Sequence, residues 1–167
     1  AHLIEEFSPP SITWQKPDYT WPDADPPNSL RLELPGPASW LDARMVLFLL
    51  SKGLTNYGLL PNIYSSFIKR SEIESLRRQQ GSFFASVTPD VYSAIALVSR
   101  FKFFIFSPYP LTVSGGSGSS NGMANARVGG LDTFFAEAGQ EMHNQMPVVP
   151  GSVTSCVLEA LLTANDR

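Results

Sequence analysis

An α/β domain, with a small mixed β-sheet and helices packed around it, is the fold class this chain predicts, and three patterns carry the prediction. Phe101 to Phe106 is aromatic and β-branched on both faces apart from Lys102, which suits a strand buried between layers. Leu30-Arg31-Leu32-Glu33-Leu34 alternates apolar and polar residues, the period of a half-buried strand. Two stretches, 71–80 and 89–98, open on helix-start signals: Ser71 with Glu74 as a capping box, and Thr88 followed by Pro89.

The 167 residues, 43% hydrophobic and 11% aromatic, suffice for a single domain, 1–167, with a substantial core. Within it, 1–37 reads as a Pro-rich wrapping segment, 38–122 as the core and 123–167 as C-terminal helices. A net charge of -3 argues against nucleic acid as a partner, because phosphate affinity rests on clustered Lys and Arg. The single Cys156 excludes an internal disulfide framework and fits a reducing, cytoplasmic compartment; two histidines beside it are too few for a Cys/His zinc site. No apolar run approaches the roughly 20 residues a transmembrane helix needs. Peripheral contact with a membrane stays open.

Eight of the fourteen prolines fall in 1–37, which limits that segment to short strands and turns. His2 to Phe7 reads as the tail of a helix, and Pro35-Gly36-Pro37 ends the 30–34 strand. Ser39 is the expected cap of a helix from Trp40 to about Ser51, with Gly53 as its stop. Leu59 to Ile68 offers strand or loop contacts. The helix begun at Ser71 runs through Gln80 to Gly81. In the next helix Val91, Ile95 and Val98 share one face. Leu111 to Val113 is expected to make a second short strand. Ser114 to Gly122 holds no side chain able to anchor a core and reads as a loop. Asp132 and Ser152 cap two closing helices, the first running to about Asn144 with Phe134, Phe135, Ala138 and Met142 inward, the second with Val153, Val157 and Leu161 on its stripe.

Among candidate sites, the corner at Thr88-Pro89-Asp90 stands out. It holds a carboxylate in the first turn of a helix, where the dipole favours negative charge, although most such acids only stabilise the helix. Glycines and serines of the 114–122 loop could present N–H groups to a phosphate, yet Asn121 stands where a third glycine of the dinucleotide fingerprint would be, and composition favours a linker. Asp23-Ala24-Asp25 has the form of a metal-chelating D-x-D but lacks a rigid apolar strand before it. Lys69, Arg70, Arg77 and Arg78 suit either an anion or a solvated face. Trp14, Tyr19 and Trp21 suit either sugar stacking or core packing. His143 has no ligand companions, and Cys156 on an apolar stripe supports no nucleophilic triad.

Trp14 to Pro22, Leu60-Pro61-Asn62-Ile63-Tyr64 with Phe67 to Ser71, Phe83-Phe84 through Tyr92, and Pro110 through the Gly/Ser loop follow one another in an order that resembles a known family. It is the acceptor-side half of nucleotide-sugar glycosyltransferases of the GT-A type, in the large inverting family 2. The resemblance covers about residues 12–122. It implies that Asp90 is the general base, and that Tyr64, Tyr92, Ser114, Gly115, Gly116, Ser117, Ser119, Ser120 and Asn121 contact the acceptor. A nucleotide-sugar donor and a carbohydrate or other hydroxyl acceptor follow as partners. The complete enzyme would use a divalent metal, Mg or Mn, with no cofactor visible in this chain. Because the family places its nucleotide-binding half and its D-x-D ahead of this region, the chain is expected to be a C-terminal portion that needs that half, or a second copy, for activity. The alternative is a non-catalytic binding or oligomerisation module with an exposed apolar face. A stand-alone hydrolase using Asp90 would lack the paired carboxylate that glycoside hydrolysis requires.

Overall fold

The computed structural model describes residues 2–32, 36–118, 142–146 and 152–167. In order, the chain forms α1 (His2–Phe7), β1 (Ser11–Trp14), β2 (Asp18–Thr20), β3 (Leu30–Arg31) and β4 (Ser39–Asp42). It continues through α2 (Ala43–Ser51), a 3₁₀ turn at Tyr57–Leu59, β5 (Ser66–Ile68), α3 (Arg70–Gln80), α4 (Pro89–Val98), β6 (Phe103–Ser107), β7 (Ser114–Gly116) and α5 (Val153–Asn165). The expected single sheet is two small mixed sheets, one ordered β4-β6-β1-β5 and the other β3-β2-β7.

The core is built on α4. Every residue from Val91 to Val98 is buried, including Tyr92 and Ser93, so the apolar spacing of Val91, Ile95 and Val98 understates a helix enclosed on all sides. Leu41, Phe104 and Ile68 from the four-stranded sheet share its core, as do Val46 and Leu50 of α2, Leu76 of α3 and Ala160 of α5. Burying each large aliphatic side chain here gains about 1.5–3 kcal/mol. Arg100, just past α4, ties this helix to α3 through Gln79 and through Ser75 Oγ at 2.7 Å.

Cross-strand partners point to the same side of a sheet. The pairings Trp40 with Ile105, Ile105 with Ile12, and Ile12 with Phe67 therefore set a row of four apolar side chains across the outer face. Ile12 and Ile105 are buried, whereas Trp40 and Phe67 are about half exposed. Phe7 packs edge-on against Trp40 at 5.9 Å and Trp14 tilts onto Phe67 at 5.0 Å.

Several local expectations are corrected. Ser39 and Trp40 extend into β4 because β6 supplies an antiparallel partner, and α2 starts at Ala43 with Asp42 as its cap, Oδ1 accepting from Met45 N at 2.9 Å. Helix α3 begins at Arg70 with no side-chain cap, and Glu74 pairs with Arg70 at 2.7 Å instead of closing a box with Ser71. Its stop is as expected, Gly81 at φ 74°. Leu30 and Leu32 are exposed and the alternating stretch opens as the short edge strand β3, while Glu33 and Leu34 lie outside the described residues. Leu111 to Val113 forms no strand, and the strand lies one step on at Ser114–Gly116, in residues expected to be a loop. There β2 offers a parallel ladder that needs no side chains, and Gly115 lets the Trp21 indole approach: a Cβ on Gly115 would stand 3.0 Å from Nε1. Ser152 caps α5 as expected, but the buried stripe is Ser155, Cys156, Glu159 and Ala160. Most of the helix expected from Asp132, with Phe134, Phe135 and Ala138, lies outside the described residues; Met142 to Met146 make a turn.

Asp42→Ala should lower unfolding free energy by about 1 kcal/mol, the worth of a lost cap, while Ser39→Ala stays within about 0.5 kcal/mol. Urea unfolding of the two variants checks this, and equal losses would restore Ser39 as the cap.

Candidate functional site: a donor-rich cleft at the strand ends

Strands β1 and β6 run parallel, and Gln15 N extends their ladder to Ser107 O at 3.1 Å. Strands β2 and β7, which continue the same two segments, are parallel again, and their ladder opens with Ser114 N donating to Pro17 O at 2.8 Å. Between the ladders one segment crosses in 15–17 while the other detours through 108–113. The detour is held by Trp14 Nε1, which donates to Thr112 Oγ1 at 2.9 Å. Trp14 is therefore a buried structural residue rather than a stacking platform. Where parallel strands end and diverge, a crevice opens beyond their carboxyl ends. Here it is a cleft of about 390 Å³ lined by Gln15, Lys16, Asp18, Arg31, Asn56, Tyr57, Asn62 and Ser114, among others.

Two asparagines shape its wall. Asn56 Oδ1 accepts from Gly58 N at 2.8 Å and starts the 3₁₀ turn that presents Tyr57. Asn62 Oδ1 accepts from Tyr64 N at 2.9 Å and from Ser65 Oγ at 3.1 Å. Such side chain to backbone turns are what asparagine does best outside helices. Burial lowers the Lys16 amine from the ordinary lysine value, partly offset by Asp18 and then Asp90. Burial raises the Tyr57 phenol, and Asp90, Cys156 and Asp18 add to the rise, so this hydroxyl stays protonated at neutral pH.

Asp90 does not line this cleft, but its charge reaches Lys16 and Tyr57 on the cleft wall. It sits in the first turn of α4, part-exposed, and its carboxylate makes no hydrogen bond or ion pair among the described residues. The corner before it is fixed from α5. Ser86 Oγ donates to the buried Glu159 and accepts from Thr88 N at 3.2 Å, while Thr88 Oγ1 turns to Cys156 O at 3.5 Å instead of capping α4. Burial raises the Cys156 thiol, with Glu159 and then Asp90 adding to it, which leaves it a poor nucleophile.

The other anticipated contacts divide. Tyr64 is exposed beside the cleft, with Lys16 Nζ 5.6 Å from its ring centroid. Ser114 lines the cleft, Gly115 and Gly116 complete β7, and Ser117 follows it. Tyr92 is corrected: it is fully buried and its hydroxyl donates to Gln80 Oε1 at 2.7 Å, so an acceptor could reach it only by opening the core. Ser119, Ser120 and Asn121 lie outside the described residues. Trp21 remains half exposed, edge-on to Tyr19 at 5.3 Å. Lys69 Nζ donates to Ser8 O at 2.6 Å, and Arg70 is held by Glu74, which takes both away from an anion role. His143 Nε2 lies 2.7 Å from Asp166 Oδ2.

Asp23 Oδ2 accepts from Gly118 N at 3.0 Å, anchoring the Gly/Ser segment where a Cβ on residue 118 would collide with Asp23 O. Among the described residues no three of His, Cys, Asp and Glu gather around one point. No helix among the described residues is long and apolar enough to cross a membrane. Lys16, Asp18, Arg31, Asn56, Tyr57 and Asn62 escaped the sequence reading. The one local signal available was the pair of turn-forming asparagines, each with a small residue two or three positions on.

What the fold and cleft define is a mixed α/β domain with two small sheets and a polar crevice at the strand ends. Compared with known proteins, the chain matches no family model, no curated protein and no solved structure.

Because Asp18 and Asp90 both raise the Lys16 amine, Asp18→Asn should move its titration midpoint further below the ordinary lysine value, and Asp90→Asn should do so by less. Side-chain NMR titration of Lys16 reads both shifts. No response to Asp90→Asn would place that acid out of electrostatic reach of the cleft.

Proposed function

We propose that this chain forms the acceptor side of an inverting sugar transferase in which Asp90 is the general base. The carboxylate takes the proton of an acceptor hydroxyl while that oxygen bonds to the anomeric carbon of a nucleotide-sugar. The bond from that carbon to the nucleoside diphosphate breaks on the opposite face, and the leaving group keeps the electron pair. Donor binding would come from a nucleotide-binding half, joined to this chain or supplied in trans.

One observation carries the reading. Asp90 is an uncommitted acid on a rigid corner, with its charge felt at Lys16 and Tyr57 of the adjoining cleft. A general base must be both oriented and free to accept a proton. The corner supplies the orientation through Ser86, Glu159 and Thr88, and the lack of a salt-bridge partner among the described residues leaves the oxygens available. In the enzyme assembled with its donor-binding half, Asp90→Asn should lower kcat by about 10²–10⁴-fold and leave donor affinity nearly unchanged. Single-turnover kinetics with a donor titration separates the two, and retained turnover would reject Asp90 as the base.

A second reading, a non-catalytic assembly module, is favoured by the outer row of the four-stranded sheet, whose ends Trp40 and Phe67 are 47% and 54% exposed. Charge there would disrupt association through that face. If the reading holds, sedimentation velocity should find concentration-dependent assembly that Trp40→Glu with Phe67→Glu abolishes. A chain that stays monomeric at every concentration removes this reading.

A further inference from the structure

The cleft at the strand ends gathers several side-chain hydrogen-bond donors, beside Gln15 and Ser114, which can give or receive. Asn62 is 3% exposed and lines the cleft, yet its Oδ1 is occupied twice, by Tyr64 N and Ser65 Oγ. Because a backbone N–H can only donate, the amide orientation is fixed, and the NH₂ group is the end left over, with no partner among the described residues. Asn56 repeats the arrangement, since Gly58 N takes its oxygen. Two side-chain carbonyls are thus folded back on their own chain, and two NH₂ groups remain. Lys16, Arg31 and the Tyr57 hydroxyl add further donors around the same volume.

Among the described residues, Asp18 is the single acid lining the cleft. It stands directly across from Arg31 in the β2–β3 pair, on the same side of the sheet. Lys16 is the other cation on the lining, with Asp18 and Asp90 within electrostatic reach of it. A neutral polyol would meet these donors only through uncharged hydroxyls, whereas an oxyanion satisfies several at once with charge-assisted hydrogen bonds. Asp18 can meanwhile accept from a ligand hydroxyl.

We propose that the cleft binds the acidic group of a hydroxylated ring, a carboxylate or phosphate, so that the acceptor class is an acidic sugar rather than a neutral one. Lys16, Asn62 and Asn56 read the oxyanion and Asp18 a neighbouring hydroxyl. The inference rests on the acceptor-side reading, but its test is a binding measurement in which Asp90 chemistry plays no part. Binding of acidic sugars with turnover retained in Asp90→Asn would reject the base and keep the cleft.

The test is calorimetric titration of this chain with glucuronate, glucose 6-phosphate and glucose. At least one acidic probe should bind about tenfold or more tightly than glucose, in keeping with hydrogen bonds to a charged group. A preference for glucuronate assigns the anion as a carboxylate and a preference for glucose 6-phosphate assigns it as a phosphate; either supports the proposal. Asn62→Asp keeps the oxygen that caps the turn and replaces the NH₂ donor by a second oxygen, so it should lose about tenfold or more in affinity. Lys16→Met and Asn56→Asp should weaken binding in the same direction, and they decide the matter if thermal melting shows Asn62→Asp to be unfolded. Equal affinity for all three probes, or acidic-probe affinity unchanged in every folded variant, would overturn the proposal.

Discussion

The enclosure of α4 is the constraint on which the rest depends. A helix buried over eight consecutive residues must be covered on every side, so the four-stranded sheet, α2, α3 and α5 are all committed to it. Its first turn is where that cover ends, and there Asp90 emerges part-exposed. The same packing brings Glu159 of α5 against Ser86, so a buried acid takes one donor from the loop that delivers Asp90 and the other from Thr163 of its own helix. Leaving such an acid without donors would be costly, which makes the contact a firm hold on the corner. Rigidity at Asp90 is thus a by-product of core formation.

The cleft follows from a second constraint, a mismatch in chain length. Two segments run parallel in one sheet and parallel again in the next, but three residues bridge the gap on one side and six on the other. They cannot remain hydrogen bonded across the gap, and they separate. The longer arm is pinned outward by Trp14 and Thr112, while the wall opposite is made by the turns that Asn56 and Asn62 nucleate. Lys16 lies on the short arm, where burial lowers its pKa and Asp18 and Asp90 partly offset that. A polar crevice therefore arises without any loop built solely to form it.

Local chemistry was legible where a residue answers only to its own neighbours. Gly81 ends α3, Ser152 opens α5, and Pro89 begins α4, because a left-handed stop, a hydroxyl cap and a residue without an N–H act within one turn. The same reasoning failed where another strand intervened. Ser39 could cap a helix, but β6 offered it a ladder; Ser114 to Gly116 could be a loop, but β2 offered backbone partners that glycine can use as well as any residue. Asp90 was visible as a helix-start acid, whereas Tyr92, two residues on, looked equally available and is enclosed.

By itself, the amino-acid order determined the α/β class, the helices around residues 71–98, the Ser152-capped helix at 152–165, and the place of Asp90 in the first turn after Pro89. Only tertiary structure decided that there are two sheets, that Tyr92 belongs to the core, and that Lys16, Asp18, Arg31, Asn56, Tyr57 and Asn62 face one volume. Caps and stops draw their energy from atoms a few residues apart. A cleft draws its character from which donors and acceptors remain unspent once distant segments have paired, and no stretch of chain carries that information alone.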